Sequence, residues 1–522
     1  MEKQSGGVRL LKKSKRGLVR AIFSRTGLVF TLLMLQFFVM FLFMVWFDDL
    51  VSYFWAGHYV LSVIAFLVLV NSQIDPSAKL TWIVVILLFP IFGMLLFWYT
   101  KSDIGHRTLK KRYEKQLEIT NNAIVQKAEV TQALPQEAPE LVSLGNYLEK
   151  SGCHPVFAQT QTTYFSSGES QWEAILAEIE KAEKFIFMEY FIVNVKSTMW
   201  LEILEILKRK AAEGVEIRFM YDAMGSLTMF PPDYCEELGK MGIKCKIFKR
   251  VTPFLSTYQN NRDHRKILVI DGHTAFTGGI NISDEYINRE VRFGHWKDTA
   301  VMVKGAAAVS FTVMFLRMWN VAEKENENYD KYIAETNVEA EGYVIPYSDS
   351  PIDDEFVGER VYLDVINRAS EYVHIMTPYL VISYEMQEAL EYAAKRGVDV
   401  RIIMPHIPDK PYALWLARSY YPKLIKAGVK IFEYDKGFVH AKVTTSDDCK
   451  SVVGTINYDY RSLYQNYECA LFMYKVPEIA DIESDYQNTE KMCSEITMSK
   501  YKKFNIFGRI FGMCIRLFAP LV

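Results

Sequence analysis

The sequence predicts an α/β protein of two pseudo-repeated halves that share one site, preceded by N-terminal transmembrane helices. Three observations lead to this. Three long apolar stretches near the start carry no Asp, Glu, Lys or Arg. A strand, helix, glycine, strand order then occurs twice. A short polar motif also occurs twice, with matched internal spacing.

Residues 1–26 form a basic segment, with eight Lys/Arg against Glu2. The apolar stretches Gly27–Phe47, Leu50–Val70 and Leu80–Thr100 follow. Each has about the 20 residues a helix needs to cross a bilayer. Residues 27–100 therefore read as a membrane segment with two to three transmembrane helices, and the protein as multi-pass. Both flanks are basic, since "KSDIGHRTLKKRYEK" follows the third stretch, and both favour the cytoplasmic side. Three full crossings would put them on opposite sides, so one stretch crosses incompletely or one flank breaks the rule. Residues 101–150 read as a polar, partly helical linker, with "QALPQEAPE" as a break.

The first half spans 151–335. "KFIFMEYFIV" is strand-like, "TMWLEILEILKRKAAEG" has helical spacing and a closing glycine, and "VEIRFMYD" is a strand again. The second half spans 336–500 and repeats the order in "YVHIMTPYLV", "EMQEALEYAAKRG" and "VDVRIIMP". Such alternation predicts sheets covered by helices and an internal duplication.

The duplicated motif lies in regions 258–285 and 434–461. The first copy is His264-x-Lys266-x4-Asp271, followed by Gly278, Gly279 and Asn281; the second is His440-x-Lys442-x4-Asp447, followed by Gly454, Thr455 and Asn457. Residues two apart on a strand face one side, so each His and Lys should share a face. Neutral imidazole is a nucleophile and proton carrier near pH 7. Lysine suits phosphate oxygens, and amide and hydroxyl donors suit charge developing on a phosphoryl group. Two copies meeting in one pocket could attack phosphorus with one histidine and protonate the leaving oxygen with the other. The expected catalytic set is His264, Lys266, Asp271, His440, Lys442 and Asp447. Asp271 and Asp447, at strand ends, are expected to hold the turn rather than touch substrate. His58, His106, His154, His273, His295, His374 and His406 show no partner spacing. The seven cysteines form no close pair and no CxxC, so they read as free thiols, and a zinc site is not expected.

These residues resemble the phospholipase D superfamily, whose signature is the doubled HKD motif. More narrowly, the chain from about Ala65 to Val522 resembles bacterial cardiolipin synthases. The likeness is carried by "MEYFI", "YDAMGS", "TGGINISDEYI", "TPYLV", "AAKRGVDVRIIMP", "AGVKIFEY", "FVHAKV", "GTINYDYRS" and the closing "RLFAPLV". The resemblance implies two phospholipase D-like α/β sandwich halves with one active site. It implies condensation of two phosphatidylglycerol molecules to cardiolipin and glycerol through a covalent phosphatidyl-histidine, without cofactor or metal. His264 would be the nucleophile and His440 the acid and base. Lys266, Lys442, Asn281 and Asn457 would bind phosphate, with Gly279 and Thr455 beside them. Asp298 in "HWKDT" and Glu468 in "NYECALF" match positions at which the superfamily orients a histidine. Gly279 and Thr455 stand where the superfamily often has serine. Arg461 and Ser462 could add contacts near the second copy.

The partners implied are phosphatidylglycerol and other anionic lipids at the bacterial cell membrane, with no nucleic acid. Protein partners are not indicated, and a homo-oligomer stays open. Residues 501–522 form a basic amphipathic tail whose apolar residues recur near helical spacing. The rival readings are a lipid phosphodiesterase or another phosphatidyltransferase, an HKD nuclease, and a scaffold with degenerate motifs.

Overall fold

A computed structural model of the chain describes residues 34, 38, 41, 51–72, 76–101, 104–120, 124–231, 233–248, 261–321, 327–334, 336, 338–353 and 355–521. The expected basic segment 1–26 and most of Gly27–Phe47 lie outside the described residues.

The chain divides into two units. The first holds the helices up to Arg107 and the chain end from Leu517. Leu50–Val70 becomes the helix Val51–Val70. Leu80–Thr100 is not one helix. It breaks at Phe89 into Pro76–Leu88 and Pro90–Lys101, because proline has no N–H to continue the ladder and disfavours helix in the residue before it. The two pieces fold back on each other, with the Trp82 and Phe97 rings 5.3 Å apart. At their closest approach, a Cβ on Gly93 would lie 2.9 Å from the Val85 carbonyl oxygen. Helices of 13 and 12 residues reach only about 18–20 Å, against roughly 30 Å of bilayer hydrocarbon. Neither of these two helices is long enough to cross a membrane. Leu80–Thr100, one of the three candidate crossing stretches, is thus a helical hairpin. Around a small core of Ala65, Leu69, Trp82, Ile86 and Phe97, this unit turns apolar side chains outward, among them Tyr59, Val63, Leu87, Leu88 and Trp98.

The second unit holds Thr108–Arg250 and Asn261–Arg516. The expected linker is helical over Ile104–Thr120, Ala128–Glu137 and Pro139–Gly152. It is anchored in this unit, where Arg317 Nε donates to Thr120 Oγ1 at 2.7 Å and Tyr329 donates to Gln116 Oε1 at 2.5 Å.

The first half contributes β1 (Thr160–Phe165), β2 (Phe185–Tyr190), β3 (Glu216–Asp222), β4 (Ile243–Phe248), β5 (Ile267–Ile270), β6 (Thr274–Gly278), β7 (His295–Lys297) and β8 (Ala300–Gly305). Its sheet has the order β1-β8-β6-β5-β2-β3-β4. The second half contributes β9 (Tyr343–Asp349), β10 (Tyr372–Met376), β11 (Leu380–Val381), β12 (Asp399–Pro405), β13 (Lys430–Tyr434), β14 (Gly437–Val439), β15 (Val443–Ser446), β16 (Lys450–Gly454), β17 (Tyr458–Asp459), β18 (Glu468–Tyr474) and β19 (Cys493–Glu495). Its sheet has the order β9-β18-β16-β15-β10-β12-β13-β19. The orders match strand for strand, with β19 added at one edge. The senses match too: within these two sheets, only β2–β3–β4 and β10–β12–β13 pair in parallel. The duplication read from the sequence is a duplication of topology.

Alternation along β2 places Ile186, Met188 and Tyr190 in a core with the helices Gly168–Ile179 and Thr198–Ala212. Its other face stacks Phe187 on Phe315 of the wholly buried helix Ala308–Asn320. The crossover helices start alike in both halves, capped by Ser197 on Trp200 N and by Ser383 on Met386 N.

One cysteine expectation fails. Cys235 and Cys245 form a disulfide with Cα atoms 5.2 Å apart, while Cys153, Cys449, Cys469, Cys493 and Cys514 are free. The short helix Tyr234–Lys240 folds directly onto β4, so a spacing with no motif character becomes a contact.

Candidate active site

Each His-x-Lys sits just ahead of a strand, His264 and Lys266 before β5 and His440 and Lys442 before β15. The approach to each is pinned by the other half. Strand β14 pairs in parallel with β7, and His440 N donates to the Lys297 carbonyl at 2.7 Å. Asp263 bridges to Tyr467, and His264 N donates to the Tyr467 carbonyl at 3.0 Å.

The acids are exchanged in the same way. His264 Nδ1 lies 2.9 Å from both oxygens of Glu468, and His440 Nδ1 lies 2.7 Å from Asp298 Oδ2. The first-half histidine is held by the second-half acid, and the reverse. Both acids are fully buried. A carboxylate can only accept, so Nδ1 carries the proton and Nε2 offers its lone pair. Burial would raise both acids, but the histidine beside each, with the lysines, holds Asp298 and Glu468 below the usual carboxylate range.

Burial lowers His264 to about 4 and His440 to about 3, against the pull of Glu468 and Asp298. It also lowers Lys266 to about 8 and Lys442 to about 7. The Lys442 charge acts on His264 and the Lys266 charge on His440, so the two motif copies form one electrostatic site. Lys266 Nζ donates to the His264 carbonyl at 2.6 Å, and Lys442 donates to that of His440.

The departure from serine at Gly279 has a steric cause. A Cβ at position 279 would lie 2.0 Å from Asp298 Oδ1, so only glycine leaves room for that acid. Asp298 instead accepts from Thr299 N at 2.9 Å and Trp296 Nε1 at 3.4 Å. On the other side Thr455 Oγ1 donates to Glu468, and Asn466 Nδ2 adds a bond of 3.2 Å. Asn281 accepts from Ile192 N at 3.0 Å and donates to Tyr286 at 2.8 Å. Asn457 donates to Ser462 at 3.1 Å, and its buried Oδ1 has no hydrogen-bond partner among the described residues.

The aspartates of the motif serve the hairpins. Asp271 accepts from the N–H groups of Glu183, Lys184 and Phe185 at 2.7–2.8 Å. Asp447 accepts from those of Ser370, Glu371 and Tyr372 at 2.8–2.9 Å. Both have φ of 52°, the left-handed region that Asp tolerates better than most residues.

Sequence reading missed the aromatic wall. Tyr286, Trp296 and Phe438 surround His440 with ring centroids 5.5, 5.4 and 5.8 Å away. Among the described residues, only Phe191, at 5.0 Å, meets the His264 ring. Tyr286 and Ser462 both stand five residues after their asparagine, so aligning the copies would have exposed this asymmetry. Among the described residues, no group of three or more His, Cys, Asp or Glu is placed to hold a metal ion.

The duplicated sheets and the paired imidazoles define the phospholipase D class of phosphoryl-transfer proteins. A family model described as the PLD-like domain of cardiolipin synthase matches residues 175–319 and 362–489, and one described as the phospholipase D-nuclease N-terminal segment matches residues 60–100. An uncharacterized protein of Streptococcus mutans is 50% identical over 458 residues, covering 87% of this chain and 99% of that one. Cardiolipin synthase 2 of Bacillus anthracis is 33% identical over 453 residues, covering 86% and 87%. The crystal structure of phosphatidylserine synthase from Haemophilus influenzae has the same fold, with a TM-score of 0.54 at 16% identity, covering 73% of this chain and 98% of that one. The chain belongs to the bacterial cardiolipin synthase family of the phospholipase D superfamily, and it is a phosphatidyltransferase.

Proposed function

We propose that the protein transfers a phosphatidyl group from one phosphatidylglycerol to another, giving cardiolipin and glycerol at the bacterial cell membrane. His264 Nε2 attacks phosphorus, and the bond from phosphorus to the glycerol oxygen breaks. His440, which takes up a proton on Nε2 before attack and is held as imidazolium by Asp298, gives that oxygen its proton. A hydroxyl of the second phosphatidylglycerol then gives a proton to His440 and attacks phosphorus, and the N–P bond breaks. Lys266 and Lys442 neutralise the phosphoryl oxygens, and the amides of Asn281 and Asn457 complete the cradle. Glu468 and Asp298 stabilise the imidazolium formed at each stage.

The observation that carries this reading is the exchanged pairing of His264 with Glu468 and His440 with Asp298. It supplies two oriented imidazoles, one for nucleophilic and one for proton-transfer work. The apolar outer surface of the first unit supports residence at a membrane.

Radiolabelled phosphatidylglycerol and the purified full chain test the reaction. Labelled cardiolipin and free glycerol are expected; phosphatidic acid as sole product would make the protein a hydrolase. The order of the histidines is tested with a phosphatidyl substrate whose leaving group needs no proton. His440→Ala should then accumulate a base-stable phosphatidyl-enzyme, and His264→Ala should not.

A further inference from the structure

The tail helix Ile506–Arg516 has two unlike faces. Gly508 and Gly512 lie against Trp415: a Cβ at 508 would sit 2.5 Å from the indole ring, and one at 512 would sit 2.2 Å from the Trp415 carbonyl. Arg516 fastens the same side, donating to Gln387 Oε1 at 2.8 Å and lying 3.8 Å over the Tyr420 ring. Nearby, Arg418 is held between Trp415 and Phe504, with its guanidinium paired to buried Glu433. The glycine face is thus fully used.

The opposite face is open. Phe507 is 78% exposed, and Ile506, Ile510, Phe511 and Met513 are 47–60% exposed. These five residues lie on one arc of about 160° at 100° per residue. Just before the helix, Lys500, Lys502 and Lys503 are exposed, and none forms an ion pair among the described residues. No acidic residue follows Glu495 in the chain. One residue beyond Arg516 the chain enters the apolar first unit, where Thr81 donates to the Leu517 carbonyl at 2.5 Å.

We propose that this helix is an interfacial lipid-binding element that seats its Phe507 and Phe511 face in an anionic phospholipid surface. An apolar arc beside uncompensated lysines matches acyl chains beside negative headgroups. A second copy of the chain fits less well, because an isologous pairing would bring the lysine clusters towards each other. Rigid mounting on Trp415 means that lipid contact would also orient the second half at its substrate. That consequence rests on the phospholipid reading above, whereas the lipid contact itself does not.

The test uses the full chain reconstituted in vesicles, with a benzophenone amino acid at position 507 and, as control, at exposed Leu201. Irradiation in phosphatidylglycerol vesicles should give a lipid adduct at 507 and none at 201. A yield several-fold lower in phosphatidylcholine vesicles is expected from the lost charge attraction. In the second arm, the Phe507→Asp, Phe511→Asp double variant should make cardiolipin about tenfold more slowly from vesicle substrate and within about twofold of wild type from detergent-dispersed substrate. Absence of a lipid adduct, an adduct to a second chain, or equal slowing in both arms would overturn the proposal. If wild type makes no cardiolipin in either arm, the functional reading fails, and the adduct still decides the lipid contact.

Discussion

His264 and His440 are each useful because a carboxylate fixes the proton on Nδ1. Replacing Glu468 or Asp298 by the amide should leave the fold intact and lower kcat by roughly 10²–10⁴, the range spanned by lost acid–base catalysis and a wrong tautomer. Steady-state kinetics with a circular-dichroism control checks this. Gly279→Ala should act like Asp298→Asn, because the added methyl displaces that acid. Thr455→Val should cost less, since Glu468 keeps Asn466 and His264 as donors.

The buried cations carry a further prediction at this scale. Lys266 at about 8 and Lys442 at about 7 give up their protons more readily folded than unfolded, where the value is about 10.4. The unfolded chain therefore binds more protons over that interval, and their contribution to stability rises with pH from about 7 to about 10.4. His264 at about 4 and His440 at about 3 also resist protonation when folded, so stability falls as pH drops below about 6.5. Lys442→Met should flatten the alkaline rise and unfold at a higher temperature than wild type, while losing activity. Thermal unfolding across pH, monitored alongside cardiolipin formation, measures both. A Lys442→Met protein that melts lower than wild type would contradict the cost assigned to this buried ammonium.

Among elements, the hairpins β5–β6 and β15–β16 set the register on which the site is built. Their turn aspartates join the hairpin to the neighbouring strand through three backbone N–H groups each. Asp271→Ala removes a charged acceptor from three donors and a residue tolerant of the left-handed region. A loss of about 2–3 kcal/mol is expected, by the cost of hydrogen bonds to charged groups. The folded fraction should keep most of its kcat, which separates this aspartate from His264. Urea titration with activity measured on the same samples makes the comparison. The strands and crossover helices themselves were legible as pattern. "VEIRFMYD" and "VDVRIIMP" became β3 and β12 because alternation and β-branched residues act locally. The hairpin at Pro90 was not legible, since the fold-back depends on Gly93 meeting Val85 across the turn. The disulfide was illegible for a like reason: ten residues of separation mean nothing until a helix folds onto its strand.

For the whole molecule, neither half contains a complete catalytic pair. The halves 1–335 and 336–522, produced separately, should each be inactive, and mixing them should restore activity only as they associate. Co-purification with cardiolipin assays follows this, and activity from either half alone would sink the exchanged pairing.

The superfamily resemblance supplied Asp298 and Glu468 as acids, whereas the sequence by itself determined the duplicated topology and the two His-x-Lys-x4-Asp copies. These follow from local periodicity and spacing, which need no knowledge of distant contacts. Only the tertiary structure decided that each acid serves the other half's histidine, that position 279 must be glycine, and that, among the described residues, three aromatic rings enclose His440 but one meets His264. Those outcomes depend on strands β7 and β14 pairing across the two halves. The side chains they bring together are more than 140 residues apart in the chain, so no local pattern could have encoded the contact.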